Sequence, residues 1–262
     1  MSTDLKIFIP TLGRVQKQST YNRLPDVLKK KTFIVCPTEE VYAHEDLGRQ
    51  VIACDKIGIG PTRDYIVDWA ANKDIKYIVM LDDDVVLQRR RHDFRITNVK
   101  TEEEYLAAFE WLGKTLEIVA HCGWGTRFLG YATQGKETSP GRMMYCLAYD
   151  VDVVKKLGAS FSKGAPWDGT MEDFYMTLQL LQAGYPNVVS LEWRASPGPS
   201  NAKGGCSTWR TTKCQNESAE RLARLYPNLV TVRHKKNWDG MGEGMLDVRI
   251  AWRKATSHFI RE

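Results

Sequence analysis

The sequence has no CxxC pair, no apolar run approaching ~20 residues, no internal repeat and no low-complexity stretch. Without paired cysteine motifs, the six cysteines (Cys36, Cys54, Cys122, Cys146, Cys206 and Cys214) form neither a zinc ribbon nor a disulfide framework. Four of them lie in apolar or β-like contexts, where a thiol acts as a small hydrophobe, and all six read as reduced in a cytoplasmic protein. Without a long apolar run, no membrane-spanning segment is expected. The start, MSTDLKIFIP, lacks the basic and apolar regions of a signal peptide.

What is present is ordinary for a folded enzyme. Of 262 residues, 43% are hydrophobic and 26% charged, which excludes a disordered or collagenous chain. Lys+Arg exceed Asp+Glu by 37 to 32, and the resulting +5 permits a polyanionic partner without demanding one. One domain over 1–262 is expected, with residues 1–100 and 101–262 forming two halves of different function.

The first hundred residues alternate strand and helix signals. Lys6–Ile9, Thr32–Val35 and Val51–Ala53 read as strands, Leu24–Lys30 as a helix, and Gly58-Ile59-Gly60-Pro61 opens another helix to about Ala71. Tyr77–Leu81 is fully apolar, as a central parallel strand covered on both faces must be. The fold class is therefore α/β, Rossmann-like, with a mostly parallel central sheet. Further on, Glu102–Glu117, Met171–Ala183 and Glu217–Leu225 read as helices. Met143–Tyr149, Val188–Leu191 and Leu229–Val232 read as strands, ahead of a β-like tail at Asp247–Arg253.

The apolar strand runs straight into Asp82-Asp83-Asp84. This places carboxylates at the carboxyl end of the sheet, where open α/β folds bind ligands. Asp82 and Asp84, two apart, suit a hard divalent cation, Mg²⁺ or Mn²⁺, that also grips a diphosphate. The other reading is a solvated acidic turn.

IPTLGR, GIGPTRDYIVDWA, YIVMLDDD and WDGTMEDFYMTLQLLQAGY, in that order, resemble the blocks of GT-A glycosyltransferases. With the late PSNAKGGCSTWRTTKCQNESAERLARLYP and VRHKKNW, the chain is most similar to the phage TET-associated glycosyltransferases, which attach sugars to hydroxymethylpyrimidines in DNA. The resemblance implies a GT-A domain whose nucleotide sugar, uridine-linked, is bound by Pro10, Thr11, Arg14, Arg63, Asp82 and Asp83. The alternative for Arg63 is a helix-surface arginine paired with Asp64 or Asp68. The resemblance further makes Asp82 the ribose or outer metal contact, Asp84 the direct metal ligand and His234 a late third one, with the surface as the alternative for His234. His44, His92, His121 and His258 are expected to be surface histidines.

In Thr170-Met171-Glu172-Asp173, Thr170 and Asp173 form a near capping box, while the resemblance turns the acidic pair toward the acceptor. Asp173 is the first choice for the general base and Glu172 the second. Trp167, Asp168, Lys203, Trp209 and Arg210 are the candidates for holding the acceptor. The loop around them would close on a base-flipped or single-stranded modified pyrimidine, 5-hydroxymethylcytosine or 5-hydroxymethyluracil. The run Gln88-Arg89-Arg90-Arg91-His92 reads as a phosphate contact or as a solvated face. Two competing functions remain at this level: transfer to a protein, lipid or glycan hydroxyl, and a catalytically silent nucleic-acid-binding module. The compartment implied is the cytoplasm of the phage host.

Overall fold

The computed structural model describes residues 5–126, 135–163, 170–197, 211–234 and 244–256. From the N-terminus, β1 (Leu5–Pro10) is followed by α1 (Ser19–Arg23), α2 (Asp26–Lys29), β2 (Thr32–Cys36), α3 (Val41–Glu45), β3 (Gln50–Ala53), α4 (Ile59–Ala71) and β4 (Tyr77–Leu81). A hairpin of β5 (Val86–Arg90) and β6 (Ile96–Asn98) leads to α5 (Glu102–Leu116), β7 (His121–Thr126), β8 (Glu137–Thr138), β9 (Cys146–Asp150) and α6 (Val151–Leu157). The chain then forms α7 (Glu172–Gln182), β10 (Val188–Ser196), α8 (Thr212–Leu225), β11 (Val230–His234), β12 (Leu246–Ile250) and α9 (Trp252–Ala255).

The large sheet has the order β3-β2-β1-β4-β9-β7-β10-β5-β6, with β8 beside β10. The pairs among β3, β2, β1 and β4 are parallel, and β7 is parallel to β10. β9 runs against both β4 and β7. The expected α/β class and parallel sheet core are therefore present, and the antiparallel strands enter after β4.

Strand alternation divides the apolar side chains between two layers. Ile7, Ile9, Val79 and Leu81 pack with Leu24, Leu28, Phe109 and Leu112 of the α1, α2 and α5 side. Phe8, Ile78, Met80 and Tyr149 pack with Ile66, Val67, Val154 and Met176 of the α4, α6 and α7 side. The outer face of α7 (Phe174, Leu178, Leu181) meets α8 and the β11–β12 ribbon in a third cluster.

Some elements depart from the sequence reading for identifiable reasons. The helix expected over Leu24–Lys30 is present only as the short α2 (Asp26–Lys29), because Pro25 holds Leu24 extended (ψ 139°), and α1 before it was not foreseen. His121–Thr126 carries no strand signal, yet all six residues are buried in a central strand. Among the described residues no helix is long and apolar enough to cross a membrane.

Candidate active site

The site is built where β4 ends. The backbone N–H of Asp82 donates to the Tyr145 carbonyl (3.2 Å), after which the chain turns out of the sheet. Thr20 at the head of α1 fastens that turn. Its hydroxyl donates to the Asp82 carbonyl (2.6 Å) and accepts from the Val85 N–H (2.7 Å), while its own N–H donates to the Asp83 carbonyl (3.0 Å). Thr20 carries no motif, and the sequence reading missed it.

The middle aspartate is taken into the loop after β1. Thr11 Oγ1 donates to Asp83 (2.6 Å), Arg14 pairs with it (2.6 Å), and Gln18 Nε2 donates to Thr11 Oγ1 (2.8 Å) and to the Arg14 carbonyl (3.2 Å). Asp83 thereby fixes the Pro10–Arg14 loop. Asp84 has a longer contact with Arg14 (3.4 Å) and keeps about 29% of its side chain exposed.

Asp82 leads to the other wall. Arg63 on α4 is only 3% exposed and reaches Asp82 (3.0 Å) and Glu172 (2.5 Å) with its two terminal nitrogens. Its guanidinium lies over the Phe161 ring at 5.8 Å. The surface alternative for Arg63 is thus overturned. Asp64 instead accepts from Ser160, Phe161 and Ser162, and Asp68 pairs with Lys155.

Glu172 and Asp173 open α7, both buried, at the positive end of the helix dipole. The capping box expected at this point is absent. Met171, at φ +68°, is the cap residue, no side-chain hydrogen bond caps the helix, and the buried Thr170 hydroxyl has no partner. The left-handed turn at Met171 places Thr170 outside capping range, so the acids are free of that duty. Asp173 has Arg142 at 3.9 Å, a residue the sequence did not single out.

The electrostatics follow from crowding. Burial, with Asp84 and Asp83 adding to it, pushes Asp82 up to about 7 against the pull of Arg63. Asp84 is raised by burial and by Asp83, opposed by Arg14. For Arg63, burial works against the charge, but Glu172, Asp82 and Asp173 outweigh it and hold the guanidinium protonated. Two carboxylates whose ionised forms are penalised, each with about a third of its side chain open to solvent, are a donor set that a hard divalent cation would relieve.

Among the described residues no three His, Cys, Asp or Glu side chains gather into a metal-holding group. His234 ends β11, exposed and opposite Leu246 in the small ribbon, and is not gathered with the aspartates. Trp167, Asp168, Lys203, Trp209 and Arg210 lie outside the described residues.

Two other expectations are corrected. Arg89 to Arg91 lie on or just beyond β5, where Arg89 pairs with Glu192 (2.8 Å) and Glu104 (3.4 Å), and Arg91 with Glu104 (2.5 Å). Arg90 is buried, donates to the Gly135 carbonyl and lies over Phe94. The three arginines thus have internal partners and are not a freely solvated face. His44 and His121 are fully buried, not surface residues; burial lowers both, His121 to about 4.

Known proteins extend this picture. The β-glucosyl-HMC-α-glucosyl-transferases of Enterobacteria phages T6 and T2 are 24% and 26% identical to the chain over 237 residues, covering 85% of it and 81% of each relative. The solved structure of GalNAc-T7 with UDP, GalNAc and Mn²⁺ aligns with a TM-score of 0.47 at 10% identity, over 86% of this chain and 49% of that one. The profile of the TET-associated glycosyltransferases matches residues 5–190. With most of its length under that match, the chain belongs to the TET-associated glycosyltransferase family and is a transferase enzyme.

Proposed function

We propose that the protein transfers a sugar from a uridine-linked nucleotide sugar to the hydroxymethyl group of a modified pyrimidine in phage DNA, in the host cytoplasm, with a divalent cation. One observation carries the reading: Arg63 ties the donor-side Asp82 to the acceptor-side Glu172 at the carboxyl edge of the sheet. Two carboxylate groups of different duty are thereby held against each other, as a transfer between two substrates requires.

On the donor side, the loop fixed by Asp83 (Pro10, Thr11, Arg14) binds the nucleotide, and Asp84, with Asp82 beside it, holds Mn²⁺ or Mg²⁺. His234 would join that set only if donor binding brought the end of β11 to the aspartates. When bound, the cation neutralises charge on the departing diphosphate. On the acceptor side, Asp173 takes the proton from the attacking hydroxyl. Glu172 is unsuited to that role because Arg63 holds it at 2.5 Å, whereas the cation nearest to Asp173 stands at 3.9 Å. Trp167, Asp168, Lys203, Trp209 and Arg210 receive the extruded base and its phosphates. The chain acts as one domain, residues 1–100 serving the donor and 101–262 the acceptor.

The names of the phage relatives favour a second reading within the same chemistry: an acceptor hydroxyl on a sugar that the base already carries. A panel of nucleotide sugars is incubated with DNA containing 5-hydroxymethylcytosine, 5-hydroxymethyluracil or their glucosylated forms, and nucleosides are read by mass spectrometry. A mass increase of one sugar on the bare hydroxymethyl base supports the first reading. An increase only on glucosylated DNA supports the second. Nucleotide release with a protein, lipid or free glycan, and none with any DNA, sinks both.

A further inference from the structure

Arg142 precedes β9 and stands at the rim of the site, beside Asp173. Three observations set it apart. Its guanidinium is stacked on the Phe174 ring at 4.1 Å, and Phe174 is itself stacked on Trp252 (5.9 Å, 25° between planes). The backbone just before it is clamped by the buried Asn187, which accepts from the Gly141 N–H (2.9 Å) and donates to the Gly141 carbonyl (2.8 Å). A side chain at Gly141 would press on Thr138 and Val189 at 3.0 Å, so the chain is seated there as well as bonded.

An arginine held so firmly at both ends is expected to serve an ion pair. Yet the nearest carboxylate oxygen, on Asp173, is 3.9 Å away, the buried Nε has no partner, and about a third of the side chain meets solvent. The aromatic ring holds the guanidinium from one side, and the part of the side chain that meets solvent is left for the terminal N–H groups to offer. That is the arrangement in which arginine takes a phosphate bidentately.

We propose that Arg142 is a phosphate-binding residue for the DNA strand, receiving the backbone phosphate beside the acceptor nucleotide. The assignment rests on the proposed base role of Asp173. If the acceptor hydroxyl lies against Asp173, the nucleotide bearing it brings its own phosphate past the open edge of Arg142. In the proposed function, the donor diphosphate is assigned to Asp84 and Arg14 instead.

The test measures binding of a single-stranded oligonucleotide with one 5-hydroxymethylcytosine, and separately of UDP, to the full chain over a range of salt. Arg142→Ala is expected to weaken oligonucleotide binding about 10- to 100-fold at low salt. It should also reduce the slope of log affinity against log salt by about 0.7, the share of one phosphate on a single strand. Arg142→Lys should keep the slope and recover only part of the affinity, because the charge remains and the fork is lost. Phe174→Leu should fall between the two. UDP affinity should stay within about twofold in all three.

A loss of UDP affinity with an unchanged salt slope assigns Arg142 to the donor diphosphate and overturns the proposal, as does an Arg142→Ala chain with wild-type DNA affinity. A wild-type protein that neither binds nor modifies the oligonucleotide overturns the DNA reading of the site, and this assignment with it.

Discussion

Two groups of polar side chains lie close together in the sheet and are built in opposite ways. At the end of β4, the protonated Arg63 is bonded to both Asp82 and Glu172. Two strands away, His121 of β7 stacks on Tyr149 of β9 (6.2 Å, 11° between planes), and the two strands are in register with Ile78 of β4. Here the imidazole Nδ1 and the Tyr149 hydroxyl are both buried without a partner. The charged group sits at the sheet's edge, where substrates arrive; the neutral group lies behind it, where charge has no use. The difference predicts where a substitution costs turnover, where it costs stability, and where it changes only the response to pH.

The rim of the charged group should be the most sensitive in turnover and the least in folding. With a chelator, or in Asp84→Ala, transfer should vanish while the thermal midpoint stays near wild type, since Asp84 is partly exposed and its removal relieves repulsion with Asp83. Full activity in chelator would break the assignment of a metal to this edge. Asp173→Asn should retain nucleotide-sugar binding and lose turnover by about 10² to 10⁴, the usual range for a positioned general base. An Asp173→Asn enzyme with wild-type turnover would move that role to Glu172.

At the centre of the charged group the cost should pass to stability. Arg63→Met leaves Glu172 and Asp82 facing each other without a cation, and removing one partner of a buried ion pair costs about 3–5 kcal/mol. Glu172→Gln added to Arg63→Met should recover part of that loss in denaturant titration, because one of the stranded charges is gone. If Arg63→Met alone unfolds at the wild-type midpoint, the central pairing is decorative and the comparison fails.

The same contrast governs what the sequence made legible. Tyr77–Leu81 with the aspartates behind it was readable because a short, unbroken apolar run that stops at charge fits a covered strand and little else. The destination of Arg63 was not, since a helix arginine looks the same whether its partners are on its own surface or 19 and 109 residues away. Arg142 and Thr20 stayed hidden for that reason, each defined by contacts from distant elements. β7 was hidden by its composition: His, Cys and two glycines in His121–Thr126 imitate a loop, though the segment is fully buried. The capping box failed because spacing cannot reveal that Met171 turns left-handed.

The neutral group yields the smallest effect and the sharpest test of the contrast. Burial holds His121 down to about 4, against 6.5 for the free side chain, while its Nε2 hydrogen bond with the Tyr185 carbonyl opposes the shift only in part. The unfolded chain therefore binds a proton that the folded chain refuses. The stability this contributes is fully present above pH 6.5 and is lost as the pH falls toward 4, by roughly 3 kcal/mol over that window. His44 is lowered in the same sense, and carboxylates add slopes of their own, so the measurement must be a difference. Denaturant titrations of wild type and His121→Gln at several pH values between 4 and 7.5 supply it. The variant should be less stable than wild type at neutral pH, from altered packing on Tyr149, and the gap should narrow steadily below pH 6.5. A gap that stays constant with pH would mean that His121 takes up its proton in the fold as readily as in the unfolded chain, and the neutral half of the comparison would be lost.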